Sequence, residues 1–354
     1  MTLTIDGSQG EGGGQVLRTT LALSMLTGQP VHITNVRARR PTPGLRPQHL
    51  TGVMACARVC GAEVEGVAVG STNVHFTPGG PAQPGDYTFD VGEMAGQRSA
   101  GAVTMLLQSL LLQLALADGP SRLTLRGGTH VAWSPPAHYM MDVLLPTLAR
   151  IGVRARMTLV EWGWYPVGGG EVQVEIEGRA RLTGIDLTTR GDFERLSGVA
   201  AVSNLPSHIP QRITNRTNSL LTGAGFPAGI QPLRTGGPST GAGLFIAATY
   251  GNAIAGFSAL GAPGKPSEQV AEEAVADVLD YVRSGQALDA RLPDQILPAL
   301  ALAEGPSAMT TVRITRHVLT NAAIIRAFLH REIVIEGAEG APGTILVKGE
   351  RADV

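Results

Sequence analysis

Leu114-Ala-Leu-Ala-Asp-Gly-Pro-Ser121 returns 186 positions later as Leu300-Ala-Leu-Ala-Glu-Gly-Pro-Ser307. A weaker copy, Leu21-Ala-Leu-Ser-Met-Leu-Thr-Gly-Gln-Pro30, stands about 91 positions before the first of these segments. In each copy an apolar run with helical spacing ends at a glycine and a proline, the residues that stop helices. The sequence therefore predicts three repeats of one unit.

Each copy is followed by the same succession of patterns. Apolar and polar residues first alternate, as in a half-buried strand, and helical spacing then returns. The predicted strands are Val31–Val36, Arg122–Arg126 and Thr310–Ile314, and the predicted second helices are Gln48–Cys60, Ala137–Ile151 and Leu319–Leu329. With two short closing strands, this succession predicts an α/β fold made of repeated α+β units rather than a thin solenoid.

The unequal spacing of the copies indicates an insertion of about 95 residues before the third one. We expect a large domain from residues 1–182 and 290–354, with a smaller α/β domain, 183–289, inserted in it. Within the insertion, strands are predicted at Gly184–Thr188, Gly229–Arg234, Gly243–Tyr250 and Ala253–Leu260, and helices at Phe193–Ser203, Gln211–Leu221 and Ser267–Arg283.

Composition excludes several classes of protein. Of the 354 residues, 43% are hydrophobic and 16% are charged, with a net charge of −1, which argues against disorder and against a globally basic nucleic-acid binder. No apolar run reaches the roughly 20 residues that span a bilayer, and no secretory leader is visible. Two cysteines, Cys56 and Cys60, favour a reducing cytoplasm. Aromatic residues make up 4% and are scattered, so no base-stacking platform is predicted.

A glycine-rich turn, Gly10-Glu-Gly-Gly-Gly-Gln15, stands between a predicted strand, Leu3–Ile5, and the first helix. Backbone N–H groups at such a turn suit a phosphate, although a tight structural turn has the same composition. A carboxylate at Glu11 would repel a phosphate unless a divalent cation stood between them.

The stretch from Gly12 to Ala62 holds arginines but no Asp or Glu. Four of these arginines fall within Arg37–Arg46, a loop that its prolines stiffen. Uncompensated guanidinium groups beside a glycine-rich turn favour a polyphosphate or an RNA backbone as the ligand, and a solvated basic loop is the alternative.

His317, in Thr315-Arg-His-Val-Leu-Thr-Asn321, begins the second helix of the third repeat. A histidine at this position is commonly a cap or a surface residue, but a neutral imidazole can also attack phosphorus. The equivalent turn of the second repeat is Gly127-Gly-Thr-His130, so the second and third repeats are expected to face each other across a cleft.

Taken together, these stretches resemble RNA 3′-terminal phosphate cyclases. The similarity rests on Asp6–Arg18, Arg37–Arg40, Pro43–Leu45, Gln48–Leu50, Gly127–Thr129, Tyr165–Gly170, Asp294–Gln295 and His317–Asn321. The resemblance implies three repeated α/β units with one inserted domain, and a reaction that converts an RNA 3′-phosphate into a 2′,3′-cyclic phosphate with ATP and Mg²⁺ or Mn²⁺. His130–Trp133 depart from the family pattern.

The resemblance also implies roles for individual residues. His317 matches the nucleophile that becomes adenylylated, and Glu11 matches the metal-associated carboxylate. The phosphate pocket is expected from Arg18, Arg37, Arg40 and Gln48, and the ATP-binding positions from Gln108, Arg291, Leu292, Pro293, Asp294 and Gln295.

Two other functions fit the fold class. A non-catalytic ribosome-assembly relative would keep the fold, and retention of His317 with Glu11 and the arginines favours the enzyme. An enolpyruvyl-transferase-like enzyme also uses repeated α/β units, but the glycine-rich and histidine motifs fit it poorly.

Overall fold

The computed structural model describes residues 1–93 and 99–349, and its first two sheets follow one plan. The first unit consists of β1 (Leu3–Asp6), α1 (Gly14–Thr27), β2 (Val31–Thr34), α2 (Pro47–Cys60), β3 (Glu63–Glu65) and β4 (Val74–Thr77). Its sheet has the order β1-β2-β4-β3, in which only β1 and β2 are parallel. Glycines in the left-handed region, Gly28 and Gly61, end both helices, as the helix-stop patterns predict.

The second unit repeats this order of elements. It consists of β5 (Asp86–Asp90), α3 (Val103–Leu116), β6 (Ser121–Gly127), α4 (Ala137–Tyr139), a π-helical turn (Met140–Leu144), α5 (Leu145–Ile151), β7 (Ala155–Glu161) and β8 (Gly170–Ile176). The sheet order β5-β6-β8-β7 is that of the first unit. The predicted helix Ala137–Ile151 is thus continuous apart from one wider turn.

A third unit opens with β9 (Asp186–Leu187), after which the chain forms a different sheet. That sheet and its helices are β10 (Phe193–Ser203), α6 (His208–Gly223), β11 (Ala228–Thr235), β12 (Gly241–Tyr250), β13 (Ile254–Leu260) and α7 (Ser267–Ser284). The sheet order is β11-β10-β12-β13. Its helices enclose a core of their own, with Ala274, Val278 and Tyr281 buried at helical spacing along α7.

The chain then completes the third unit. The remaining elements are α8 (Leu292–Leu302), β14 (Ser307–Thr311), α9 (Arg316–Phe328), β15 (Glu332–Glu336) and β16 (Gly343–Lys348). The sheet order β9-β14-β16-β15 again matches the first unit. Leu21, Leu107 and Leu300, one from the first helix of each unit, are buried in one continuous core. The predicted α/β fold of repeated units is confirmed.

Three details of the predicted arrangement are wrong. Phe193–Ser203, predicted as a helix, is the strand β10. The strand predicted at Gly184–Thr188 to open the insertion is β9, which pairs with β14 in the sheet of the third unit. β14 begins at Ser307, three residues before the predicted strand. The division into residues 1–182 with 290–354, and 183–289, stays a prediction.

No helix among residues 1–93 and 99–349 is long and apolar enough to cross a membrane.

Candidate active site

The glycine-rich turn between β1 and α1 is shaped by close side-chain contacts. Gly10 and Gly12 have φ values of 57° and 59°, in the region that favours glycine. A Cβ on Gly10 would lie 1.9 Å from Thr320 Oγ1, and one on Gly13 would lie 2.7 Å from Arg40 Nη2. Glycine therefore lets this turn approach both α9 and the arginine loop.

His317 lies in the first turn of α9 and faces two carboxylates. Thr315 caps the helix, because its hydroxyl accepts a hydrogen bond from the Val318 amide at 3.2 Å. His317 Nε2 is paired with Glu11 Oε2 from the glycine-rich turn, and Nδ1 lies 3.8 Å from Asp294 Oδ2 of α8. The first and third units therefore build this cluster together.

Mutual pairing shifts the protonation of both partners. The hydrogen bond from His317, together with the charge of Arg40, lowers the pKa of Glu11 to about 2 although burial opposes this shift. Burial lowers the pKa of His317, but the hydrogen bonds and charges of Asp294 and Glu11 outweigh it and raise the pKa to about 9. At neutral pH the pair is an imidazolium against a carboxylate. A nucleophilic His317 must therefore first lose a proton.

A pocket between α1, α3 and α8 adjoins this cluster. Gln15 connects the two, since its amide nitrogen donates to Asp294 Oδ2 at 3.2 Å and to the His317 carbonyl at 3.3 Å. The lining includes seven polar residues, Gln15, Arg18, Thr19, Gln108, Asp294, Gln295 and Asn321. Burial lowers the pKa of Arg18 to about 10, and the charges of Asp294 and Glu11 oppose that shift.

The predicted ATP-binding residues divide into two groups. Gln108 donates to Gln295 Oε1 at 2.6 Å, and both residues line the pocket with Asp294. Leu292 and Pro293 are buried in the first turn of α8, so the side chains of these two predicted residues are not available to a ligand. Arg291 is exposed, and its carbonyl accepts from Gln295 at 2.8 Å.

The predicted phosphate-binding residues also have different surroundings. Arg40 Nη2 donates to Glu11 Oε1 at 2.5 Å, which brings the basic loop to the histidine cluster. Arg37 instead donates to the carbonyls of Thr42 and Gly44, at 2.8 and 2.7 Å, and so holds its own loop in shape.

Gln48 links the first unit to the second. Its Oε1 accepts a hydrogen bond from the Ala102 amide at 3.2 Å, directly before α3. Its neighbour His49 is buried beside Gly14, and burial together with nearby arginines lowers the pKa of His49 to about 3. His49 is therefore neutral and adds no positive charge to the arginine loop.

His130 contacts a different part of the chain from the one predicted. Its Nε2 lies 2.8 Å from His138 Nδ1, and its ring stacks on Trp162 at 4.3 Å between centroids. Burial lowers the pKa of both histidines, so both are neutral. The expectation that the turns of the second and third repeats form one cleft is wrong, because the partners of His317 come from the first unit and from α8.

The roles of two residues, Gln15 and Asp289, are not predicted by the sequence. Asp289 is buried, and it accepts hydrogen bonds from the Tyr139 hydroxyl and from the amides of Gly256, Arg291 and Leu292, all at 2.8–3.0 Å. It thereby joins the second unit and β13 to the start of α8. An isolated Asp before a helix is a weak capping signal, and its partners 33 and 150 positions away cannot be read from the sequence.

In the described ranges, no group of three or more His, Cys, Asp or Glu side chains could hold a metal ion by itself. Mg²⁺ often binds through one or two carboxylates and completes its shell with substrate phosphates and water. Glu11, an ionised carboxylate in a turn of backbone amides, fits that kind of site. Its two oxygens face Arg40 and His317, and these two side chains would have to move for the ion to bind Glu11.

Known proteins similar to this chain match most of its length. A model of the family described as RNA 3′-terminal phosphate cyclase matches residues 9–335. Relatives named RNA 3′-terminal phosphate cyclase from Trichormus variabilis and Methylococcus capsulatus are 47% and 48% identical, over 95% and 99% of this chain and 97% and 98% of theirs. One from Methanopyrus kandleri is 40% identical over 98% of this chain and 99% of its own.

A solved structure, the enolpyruvyl transferase NikO from Streptomyces tendae, has 14% identity and a TM-score of 0.38. The alignment covers 99% of this chain and 48% of that one, and it carries no argument about function. The family match and the identities, by contrast, extend through the glycine-rich turn, the arginine loop and the histidine motif, and they confirm the resemblance: the chain belongs to the RNA 3′-terminal phosphate cyclase family.

Proposed function

We propose that this chain uses ATP to convert the 3′-phosphate end of an RNA into a 2′,3′-cyclic phosphate, and releases AMP and pyrophosphate. The observation that carries the proposal is His317, which contacts Glu11 and Asp294 beside a polar pocket in a chain whose relatives carry the cyclase name. A non-catalytic relative would have no need of an imidazole that faces two carboxylates, one of which is also paired with Arg40.

The first step joins AMP to the enzyme. Once His317 has released its Nε2 proton to solvent, Nε2 attacks the α-phosphorus of ATP, so that an N–P bond forms, the bond to the β-phosphate oxygen breaks, and pyrophosphate leaves. Arg40 and Arg18 stabilise the negative charge that grows on the phosphates, because guanidinium groups donate in pairs to phosphate oxygens. Asp294 faces Nδ1 at 3.8 Å and orients the ring, which leaves Nε2 as the attacking atom once Glu11 has moved away.

The second and third steps transfer the activated phosphate. An oxygen of the RNA 3′-phosphate attacks the AMP phosphorus, the N–P bond breaks, and His317 is regenerated beside an RNA–adenylate anhydride. The neighbouring 2′-hydroxyl then loses its proton and attacks the 3′-phosphorus, and AMP leaves. Because the last step closes a five-membered ring within one molecule, proximity supplies much of its rate.

The other predicted site residues bind ATP, position the phosphate-binding loop or hold the metal ion. Gln108, Asp294 and Gln295 hold the nucleoside part of ATP, while Arg291, Leu292 and Pro293 act through the backbone at the start of α8. Arg37 and Gln48 position the phosphate-binding loop rather than contact phosphate directly. Glu11 would hold Mg²⁺ or Mn²⁺, which supplies charge neutralisation on the departing pyrophosphate.

Two further predictions belong to this proposal. The insertion predicted at 183–289 forms a domain of its own from β10 to α7, supported by the separate core around α6 and α7, while β9 pairs with β14 of the third unit. A cytoplasmic location agrees with Cys56 and Cys60, which are both buried and unpaired.

Labelling with ATP that carries radioactive α-phosphorus tests the first step. The wild-type protein should retain label in an adduct that is acid-labile and resists hydroxylamine, as a phosphoramidate does. His317→Ala should lose the adduct, whereas the control His330→Ala, an exposed histidine just beyond α9, should keep it. Label retained in His317→Ala would refute the assignment, and removal of divalent cations by a chelator should abolish labelling.

Matched RNA ends test the later steps. Oligonucleotides ending in a ribose 3′-phosphate should cyclise, and those ending in a 3′-hydroxyl should not. A 2′-deoxyribose 3′-phosphate should accept AMP and stop at the adenylate, because the attacking hydroxyl is missing. A deoxy end that is not adenylylated would contradict this scheme and show that the 2′-hydroxyl is needed for binding.

A further inference from the structure

The three units present equivalent loops at one end of their sheets. In the first unit the loop after the second strand pairs with the turn of the closing hairpin, through the Leu45 amide and the Ser71 carbonyl at 2.9 Å. In the third unit the Ile314 amide pairs in the same way with the Ala341 carbonyl at 2.7 Å. The first of these loops carries the arginines, and the second leads into His317.

The corresponding place in the second unit carries two exposed aromatic rings. The loop after β6 pairs with the turn of the β7–β8 hairpin through the Thr129 amide and the Gly163 carbonyl at 2.9 Å. Trp133 in the loop is 96% exposed, and Tyr165 in the hairpin turn is 74% exposed. The low aromatic content of the sequence predicts no stacking platform. Trp133 and Tyr165 are 32 positions apart, and nothing in the sequence indicates that the fold brings them to the same end of one sheet.

Trp133 stands on a fixed backbone. Its φ of 65° lies in the left-handed region, which a bulky side chain rarely adopts, and strained backbone of this kind clusters at functional sites. Two contacts on either side of Trp133 in the sequence hold the loop. The ring of His130 stacks on Trp162, and the Ser134 hydroxyl donates to the Val131 carbonyl at 3.0 Å. A large apolar ring is thus held in solvent by a loop that is anchored at its ends by the buried residues His130, Val131 and Pro136.

The hairpin turn that carries Tyr165 is linked to the first unit through the segment before α3. A Cβ on Gly168, in the same hairpin turn as Tyr165, would lie 2.1 Å from the Ser99 carbonyl oxygen, so that turn packs directly on the segment before α3. That segment reaches the first unit at Gln48, which accepts from the Ala102 amide and precedes His49 at the start of α2. The aromatic turn and the start of α2, which follows the arginine loop, are therefore joined through one segment, 99–102.

We propose that Trp133 and Tyr165 form a stacking platform for a nucleobase of the RNA strand whose 3′-phosphate end reaches His317. The inference rests on the proposed function and adds to it the part of the substrate that the aromatic loop binds. Bases stack on exposed aromatic side chains irrespective of sequence, and a basic surface beside them follows the sugar–phosphate backbone. The platform raises affinity for RNA without imposing a sequence preference.

Cyclisation kinetics of Trp133→Ala and Tyr165→Ala test the platform. Each variant should raise KM for a 3′-phosphate oligonucleotide by roughly 5- to 150-fold, the range for loss of one base–aromatic stack. The KM for ATP in adenylylation without RNA should stay unchanged. Trp133→Phe should recover most of the loss, and the control Val160→Ala, an exposed apolar residue on β7, should match the wild type.

Abasic substrates identify the partner of the rings. A set of oligonucleotides, each lacking one base near the 3′ end, should contain one whose KM is as high for the wild type as for Trp133→Ala, because the two losses describe one contact. If, at every abasic position, the rise in KM from the missing base multiplied with the rise from Trp133→Ala, the proposal would be overturned. A raised KM for ATP in the absence of RNA would also overturn it, and would assign the rings to adenine instead.

The outcome is separable from that of the proposed function. If the wild type forms the histidine adduct and cyclises RNA while both alanine variants behave like it, the platform alone is refuted. If the wild type forms neither the adduct nor the cyclic end, the proposed function fails first. Unchanged thermal melting of Trp133→Ala, expected for an exposed side chain, excludes misfolding as the cause of a raised KM.

Discussion

Replacing Glu11 with glutamine should make His317 less basic. The substitution keeps the size and hydrogen-bonding capacity of the side chain but removes the charge that faces His317 Nε2. An opposite charge within about 4–6 Å shifts a pKa by roughly 1–3 units, so we expect the pKa of His317 to fall from about 9 by about one unit or more. Asp294 stays in place at 3.8 Å from Nδ1, which keeps part of the upward shift.

Proton NMR titration of the imidazole Cε1–H signals measures this change. The His317 signal is the one that His317→Ala lacks, and His130 and His138 do not interfere, because burial keeps both neutral. Glu339→Gln is the matched control, since it removes a carboxylate that pairs with the neighbouring Arg316 at 2.8 Å. An unchanged pKa of His317 in Glu11→Gln, or an equal fall in Glu339→Gln, would refute the reasoning.

The same pair makes stability depend on pH with a defined sign. The pKa of His317 is raised, so its contribution to the free energy of unfolding is full below about 6.5 and is lost as the pH rises through about 9. The pKa of Glu11 is lowered, so its contribution is present above about 4.5 and is lost as the pH falls through about 2. Urea unfolding across this range should show a weaker alkaline decline for Glu11→Gln than for the wild type.

Three substitutions test other parts of the site. Arg40→Ala should slow adenylylation by about 10²-fold or more, as loss of one charge-stabilising donor does, and Arg40→Lys should restore only part of the rate in the labelling assay. Gly10→Ala should lower both the melting temperature and the labelling rate, because its Cβ would meet Thr320 Oγ1 at 1.9 Å; Gly28→Ala, which has a similar φ but open space, should affect only melting. Asp289→Ala should lower the free energy of unfolding by about 3 kcal/mol or more in urea titrations, since it leaves buried donors unpaired, and a change below 1 kcal/mol would contradict that role.

The repeat and the motif residues could be predicted because they depend on local patterns. The second helices of the units and the strand β6 follow from periodicity and from their helix stops. β10 could not be predicted correctly, since Phe193, Leu196 and Ala200 in it also fit helical spacing. It is a central strand with neighbours on both sides, so tertiary pairing overrides its local pattern.

The residue types of the site could be predicted, but their mutual contacts could not. Arg40 and Arg37 are alike in the sequence, yet one faces Glu11 and the other binds carbonyls of its own loop. The backbone at Arg37 also has a left-handed φ of 55°, which nothing in its residue type predicts. Gln15 carries no signal beyond its place in the motif, because its partners come from another unit.

The pairing of Glu11 with His317 also has a consequence for the order of events during synthesis. These two residues are 306 positions apart in the chain, so they are synthesised at different times. Likewise, β9 is synthesised before its partner β14, with the sheet β10–β13 between them. At about 5–20 residues per second, Glu11 precedes its partner by roughly 15–60 s. An incomplete chain therefore has the glycine-rich turn and the arginines but lacks His317, and under the proposed mechanism it consumes no ATP before the third unit has closed on the first.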